Sequence, residues 1–188
     1  QYYYDVDRGL KMSLLIHLMK HEKADLVMVF CNTRMTVDYV TKNLKANGVR
    51  AIAIHGGLSQ NKRSNTLHTF NDGKINVLVC TDVAARGLDI EDVSHIYNYD
   101  IPADPTDYVH RIGRTARAGD EGKVVNLLCP QDHDNYSRIR RDYRDFRITK
   151  MKRPYVDRAI KVEVDMRRGF RGRSGPGRRP SRGSPRRR

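Results

Sequence analysis

Short apolar runs recur along the chain and alternate with segments whose apolar residues fall at helical spacing. Leu26-Val27-Met28-Val29-Phe30-Cys31 and Val77-Leu78-Val79-Cys80 are unbroken apolar runs. Strands covered on both faces read this way, and such strands belong to parallel sheets. Further β-like runs occupy residues 2–6, 50–54, 95–99 and 123–129. Between them, Leu14, Leu15, Leu18 and Met19 share a helical face within 10–20, and Val37, Val40 and Leu44 share one within 35–47. Asn47-Gly48 supplies a C-terminal stop to the second helix. Residues 59–70 predict a third helix, which Ser59 can cap, and 106–116 and 132–143 predict two more. The alternation gives an α/β fold: an open, mostly parallel sheet with helices on both faces and right-handed crossovers. The stretch 146–165 is ambiguous. Its alternation at 160–164 fits an edge strand or a short linker.

In such sheets ligands bind beyond the carboxyl ends of the strands. Those ends run into Asn32-Thr33-Arg34, His55-Gly56-Gly57, Thr81-Asp82 and Asp100-Ile101-Pro102. All four loops are expected along one edge, and their small polar groups, glycines and charges suit a phosphate-handling rim.

Charge changes the picture at the C-terminus. The chain carries +14, and residues 166–188 hold ten arginines and no acid, so residues 1–165 carry only 14 − 10 = +4. Five glycines, three prolines and three serines fill most of the rest of that tail. With so little apolar surface it cannot offset its ordering entropy, and it reads as disordered. Strong basicity implies a polyanionic partner. Nucleic acid fits better than membrane, because no apolar run approaches a transmembrane length and nothing resembles a signal peptide. Cys31, Cys80 and Cys129 show no C-x-x-C spacing and read as small buried hydrophobes in a reducing cytosol. Gln1 stands inside an apparent strand, which suggests a cut from a longer protein.

Three constellations carry candidate chemistry. In His110-Arg111-Ile112-Gly113-Arg114-Thr115-Ala116-Arg117, arginines three apart fall on one helical face. A row of like charges needs an anion, and arginine forks match both phosphate and carboxylate; the plainer reading is a solvated basic face. In Thr81-Asp82-Val83-Ala84-Ala85-Arg86-Gly87-Leu88-Asp89-Ile90, Thr81 can donate to a phosphate and Asp89 can accept from a sugar hydroxyl. Gly87 lets backbone approach a ligand. The plainer reading is a capped turn with Asp82 as a helix N-cap. In His55-Gly56-Gly57-Leu58-Ser59-Gln60-Asn61-Lys62-Arg63, a helix N-terminus beside two glycines can hold a phosphate, or the segment is only a tight turn and a capped helix.

Taken together, these strings resemble the C-terminal motifs of the DEAD-box RNA helicases of superfamily 2, in order and in spacing. The Thr81 to Ile90 and His110 to Arg117 strings match almost letter for letter. The run from Leu26 to Thr33, the His55-Gly56…Gln60…Arg63 pattern and the opening Gln1-Tyr2-Tyr3-Tyr4 are also similar. The likeness covers about residues 1–130. Ala116 departs from the family's usual glycine. The resemblance implies a RecA-like domain over 1–145, with 146–165 an extension or linker and 166–188 a tail. It implies that Arg114 and Arg117 are arginine fingers on the γ-phosphate of ATP, that Asp89 binds the ribose and that Gly87 approaches the phosphates. Arg86, His110 and Arg111 would contact the N-terminal RecA-like domain. Thr33, Gly56, Gln60, Arg63 and Thr81 would grip the RNA backbone.

No G-x-x-x-x-G-K-[ST] loop and no Asp-Glu-Ala-Asp occurs. The ligands of Mg2+ are therefore expected from the N-terminal domain, and this chain alone is expected to be inactive. Two competing classes are a non-catalytic RNA-binding or annealing module of the same fold, and the equivalent lobe of a DNA helicase. The tail reads as an RNA tether or as a solubilising extension.

Overall fold

A computed structural model describes residues 1–88, 90, 93–115 and 122–163. Asp89, Arg117 and the tail 166–188, three of the features singled out from the sequence, lie outside the described residues. Seven strands form one sheet in the order β3-β4-β2-β5-β6-β1-β7, and every pairing is parallel. In chain order the elements are β1 (Tyr2–Asp5), α1 (Lys11–His21), β2 (Val27–Phe30), α2 (Arg34–Ala46), β3 (Ala51–Ile54) and α3 (Gln60–Asn71). There follow β4 (Val77–Cys80), α4 (Asp82–Ala85), β5 (His95–Asn98), α5 (Pro105–Ile112), β6 (Lys123–Leu128), α6 (His133–Asp142) and β7 (Thr149–Lys150).

The unbroken apolar runs became the sheet's interior. Every residue of β2 and β4 is buried. Successive side chains alternate between faces, so Val27 and Val29 join the core under α1 and α2, while Met28 and Phe30 join the one holding Phe70 of α3. Leu14, Leu15 and Leu18 of α1 are at most 4 % exposed, each contributing about 1.5–3 kcal/mol through burial. A third cluster joins Tyr108 of α5 to Tyr136 and Ile139 of α6. No described helix is long and apolar enough to cross a membrane.

Helix ends follow local chemistry with some departures. After α2, Gly48 adopts φ +83° and donates to Lys45 O, while Val49 donates to Leu44 O. This left-handed closure is what Asn47-Gly48 predicts. Ser59 does precede α3, but its side chain makes no capping hydrogen bond. The segment 106–116 is not one helix. It runs from Pro105 to Ile112 and stops at Gly113, because the chain turns to the Val93 segment: Val93 N–H donates to Arg114 O, and the Thr115 hydroxyl donates to Val93 O.

The ambiguous stretch after 145 packs on the sheet and on α1 and α2. Its strand falls at Thr149–Lys150 beside β1, and the described residues 160–163 of the alternating run form none. Ile148 and Val156 are buried, and Ile160 and Val162 lie extended against α2 without joining any strand.

Candidate functional site

All strands run parallel, so the loops after β2, β3, β4 and β5 emerge at one edge of the sheet. What binds three of them together is Arg111. Its side chain is 0 % exposed. Nε and Nη2 donate to the two carboxylate oxygens of Asp82 at 2.6 and 2.7 Å. Nη1 donates to Asn98 Oδ1 (2.9 Å) and Asp100 O (2.6 Å), and Nη2 also donates to Asn32 Oδ1 (3.0 Å). All five guanidinium donors are thereby satisfied, and the guanidinium carbon sits 5.1 Å from the centre of the Phe30 ring. The network continues inward through Asn98 to Asn126 and on to the Tyr108 hydroxyl.

This corrects the expected guanidinium row. Tyr108 and Arg111, three apart, form the buried face of α5, and the helix ends before Arg114. Arg111 therefore points into its own domain and has no exposed side-chain surface with which to meet a second one. Its Asp82 partner was legible only as a helix cap. The actual N-cap of α4 is Thr81, whose Oγ1 accepts from Ala84 N–H at 3.4 Å.

Arg114 lies in the turn after α5, partly buried. Its Nη1 donates to Leu88 O at 2.9 Å, with Ile90 O at 3.5 Å, and Nη2 reaches Ala85 O at 3.4 Å. It therefore rests on the backbone around Gly87, which is exposed and holds φ +71°. A left-handed residue favours glycine. Arg86 is exposed and pairs with Asp107, and His110 Nδ1 lies 3.9 Å from the same carboxylate. Asp107 was missed from the sequence, although it stands three residues before His110, a spacing that brings side chains together on a helix. Arg86, His110 and Arg114 line a shallow depression with Asp82, Ala85 and Asp107.

The predicted backbone-gripping residues lie along the other part of the edge. Thr33 caps α2, its Oγ1 accepting from Thr36 N–H at 3.0 Å. Gly56 is exposed, and a side chain there would meet the Arg34 guanidinium at 3.0 Å, which brings a cation from the α2 start over the glycine pair. His55 is buried between Asp38 Oδ1 (3.2 Å from Nε2) and Gly57 N–H (3.1 Å from Nδ1). One tautomer, protonated on Nε2, satisfies both. Gln60 is exposed at the first turn of α3. Arg63 sends Nη2 to Ala84 O at 3.4 Å, tying α3 to α4, and its Nε–H has no partner among the described residues.

The three cysteines are free and buried. Burial pushes the Cys31 and Cys80 thiols up, away from the reactive thiolate. Among the described residues no group of three or more His, Cys, Asp or Glu could hold a metal ion.

The all-parallel α/β sheet with helices packed on it is a RecA-like fold, with an arginine-bearing turn at its carboxyl rim. Residues 10–119, more than half of the chain, match the helicase conserved C-terminal domain family. The ATP-dependent RNA helicase CshA of Limosilactobacillus reuteri is 43% identical over 164 residues, covering 87% of this chain and 33% of that protein. Its namesake in Listeria monocytogenes is 44% identical over 160 residues, covering 85% and 31%. Among solved structures, the E. coli DEAD-box protein SrmB, bound to regulator of ribonuclease activity A, superposes with a TM-score of 0.75 at 36% identity. That match covers 86% of this chain and 97% of the SrmB chain. S. cerevisiae Dbp5 bound to RNA and ADP BeF3 superposes with a TM-score of 0.75 at 31% identity, covering 80% and 41%. The chain belongs to the helicase conserved C-terminal domain family, as the C-terminal RecA-like domain of a DEAD-box RNA helicase. It spans about a third of the length of the CshA relatives.

Proposed function

We propose that this domain is the second half of an ATP-dependent RNA helicase motor, completing an ATP site supplied mainly by an N-terminal RecA-like domain. The observation that carries the reading is Arg114, seated on the backbone around Gly87 at the sheet's carboxyl rim. Arg114 lines the same shallow depression as Arg86 and His110, which places a guanidinium within reach of whatever closes on that rim. Hydrolysis would transfer the γ-phosphoryl group of ATP to water, with ADP as the leaving group. Arg114, with Arg117, stabilises the charge that develops there, Gly87 allows close approach and Asp89 takes the ribose. Arg86 and His110 meet the other domain directly. Arg111 acts indirectly, by fixing the loops after β2, β4 and β5 in one geometry. Magnesium ligands belong to the other domain.

Thr33, Gly56, Gln60, Arg63 and Thr81 grip the RNA sugar-phosphate backbone, joined by Arg34. Such contacts tolerate any sequence, and a preference for RNA comes from the 2′-hydroxyl. The three free buried thiols suit a reducing, cytoplasmic setting.

The test is ATP hydrolysis by the complete protein. RNA is expected to raise turnover far more than DNA of the same sequence. Equal stimulation would favour a DNA-helicase lobe, and no hydrolysis at all would favour a binding or annealing module. The tail has its own expected result. Deleting 166–188 removes ten arginines, which should weaken RNA binding and flatten the slope of log affinity against log salt, each lost phosphate contact removing about 0.7 from a single-strand slope. Unchanged affinity and slope would identify a solubilising extension.

A further inference from the structure

Charge is unevenly spread over the folded domain, and the motor chemistry leaves the imbalance unexplained. Residues 133–153, from the start of α6 to just past β7, hold eight Lys and Arg against three Asp, a net of 8 − 3 = +5. Residues 1–165 carry +4, so the rest of that span sums to 4 − 5 = −1. All eight cations are exposed. Arg141 lies 3.0 Å from Asp142, and Lys150 lies 2.6 Å from Asp5. Among the described residues the other six form no ion pair. The fold brings them together. α6 turns Tyr136 and Ile139 inward, with the Tyr136 ring centre 5.2 Å from that of Tyr3 on β1. β7 is the neighbour of β1 and ends the sheet. Helix and strand therefore present one basic edge. Tyr155, two residues past Arg153, adds an aromatic side chain that is 89 % exposed.

A solvated charged face ordinarily mixes both signs, whereas unpaired cations side by side repel one another until an anion joins them. Six of the eight are arginines, whose forks match phosphate oxygens. Basic residues also keep an exposed sheet edge from pairing with another chain. That role falls to Lys150, on the strand itself, and does not call for Arg138 or Arg144. A membrane fits less well, because α6 buries its apolar face in the domain and leaves none to enter a lipid interface. We propose that this edge is a second RNA-binding surface, which takes the phosphates of single-stranded RNA flanking the motor grip and stacks a base on Tyr155. The inference rests on the reading of the domain as half of an RNA motor. The surface is separate from the grip itself. Thr33 follows β2, and β7 stands four positions from β2 in the sheet, about 19 Å at the usual strand spacing. RNA must extend past the grip to reach it.

The experiment uses the complete protein carrying R144Q/R147Q/K152Q/R153Q, four exposed positions outside every helix and strand. Affinity for single-stranded RNAs of graded length is measured against salt. Each lost phosphate contact lowers the slope of log affinity against log salt by about 0.7. Loss of two contacts lowers it by about 1.4, so a fourfold rise in salt weakens the variant about sevenfold less than the unaltered protein. That difference is expected with long RNAs and absent with the shortest that bind. The control K20Q/K23Q/K42Q/K45Q removes the same charge from exposed lysines on or just after α1 and on α2, and should leave the slope unchanged. Tyr155→Ala should weaken binding of the long RNA about fivefold or more, and Tyr155→Phe should not. An unchanged slope in the edge variant, an equal fall in the control, or a fall that ignores RNA length would overturn the surface. Unchanged slopes together with lost binding to phosphatidylserine vesicles would assign the edge to a membrane instead. A slope that falls while Tyr155→Ala has no effect would overturn the stacking contact. If RNA binds without stimulating ATP hydrolysis, the motor reading fails by itself, and the salt slopes still decide the edge.

Discussion

Arg114→Ala in the complete protein is expected to lower RNA-stimulated ATP turnover by about 10³-fold or more, the range found for arginine fingers in phosphoryl transfer, while RNA affinity stays close to that of the unaltered protein. Arg114 is suited to this because it is neither in the core nor free. Its guanidinium rests on carbonyl oxygens of Ala85, Leu88 and Ile90, neutral acceptors that hold it weakly compared with the Asp82 carboxylate that fixes Arg111. Lysine at 114 keeps the charge and loses the fork, so most of the defect should remain in Arg114→Lys. Removing three contacts to carbonyls costs the fold about 1–3 kcal/mol, which thermal unfolding separates from the kinetic effect. Turnover within a fewfold of the unaltered protein would remove Arg114 from the reaction.

Asp82→Ala should produce the largest loss of stability in the domain. It leaves Arg111 charged, fully buried and deprived of two charge-assisted hydrogen bonds. Breaking a buried pair from one side costs about 3–5 kcal/mol, a drop in Tm on the order of 10 °C for a domain of this size. The double variant Asp82→Ala/Arg111→Met should lose less than the sum of the two single changes, because the uncompensated charge is gone. Thermal unfolding followed by circular dichroism reads both. Additive losses would show that the pair does not couple, and that the loops after β2, β4 and β5 are fixed by other contacts.

Much of the fold was legible because it rests on burial. Val27 to Phe30 and Val77 to Cys80 are apolar at every position since both faces of a parallel strand are covered. What escaped was decided by contacts distant in sequence. β7 is two exposed residues, and only the register of β1 makes them a strand. α4 is a single turn, too short for any periodicity. Helix α5 was read past its end because the pull of Val93 on Arg114 and Thr115 leaves no local mark. The site divided in the same way. The rim loops followed from the parallel run of the strands, whereas Gly87 was singled out for the close approach it allows and its positive φ left no mark in the sequence. The burial of Arg111 did not follow, because a run of arginines reads as a solvated face and its partners stand 13, 29 and 79 residues away.

The central claim is that this domain completes an ATP site it does not contain. It is tested most directly by measuring steady-state ATP hydrolysis of the complete protein and of the 188-residue chain alone, at equal concentration, with and without saturating single-stranded RNA. Turnover that appears only in the complete protein and rises with RNA is the expected result. RNA-stimulated hydrolysis by the 188-residue chain alone, or a complete protein indifferent to RNA, would contradict it.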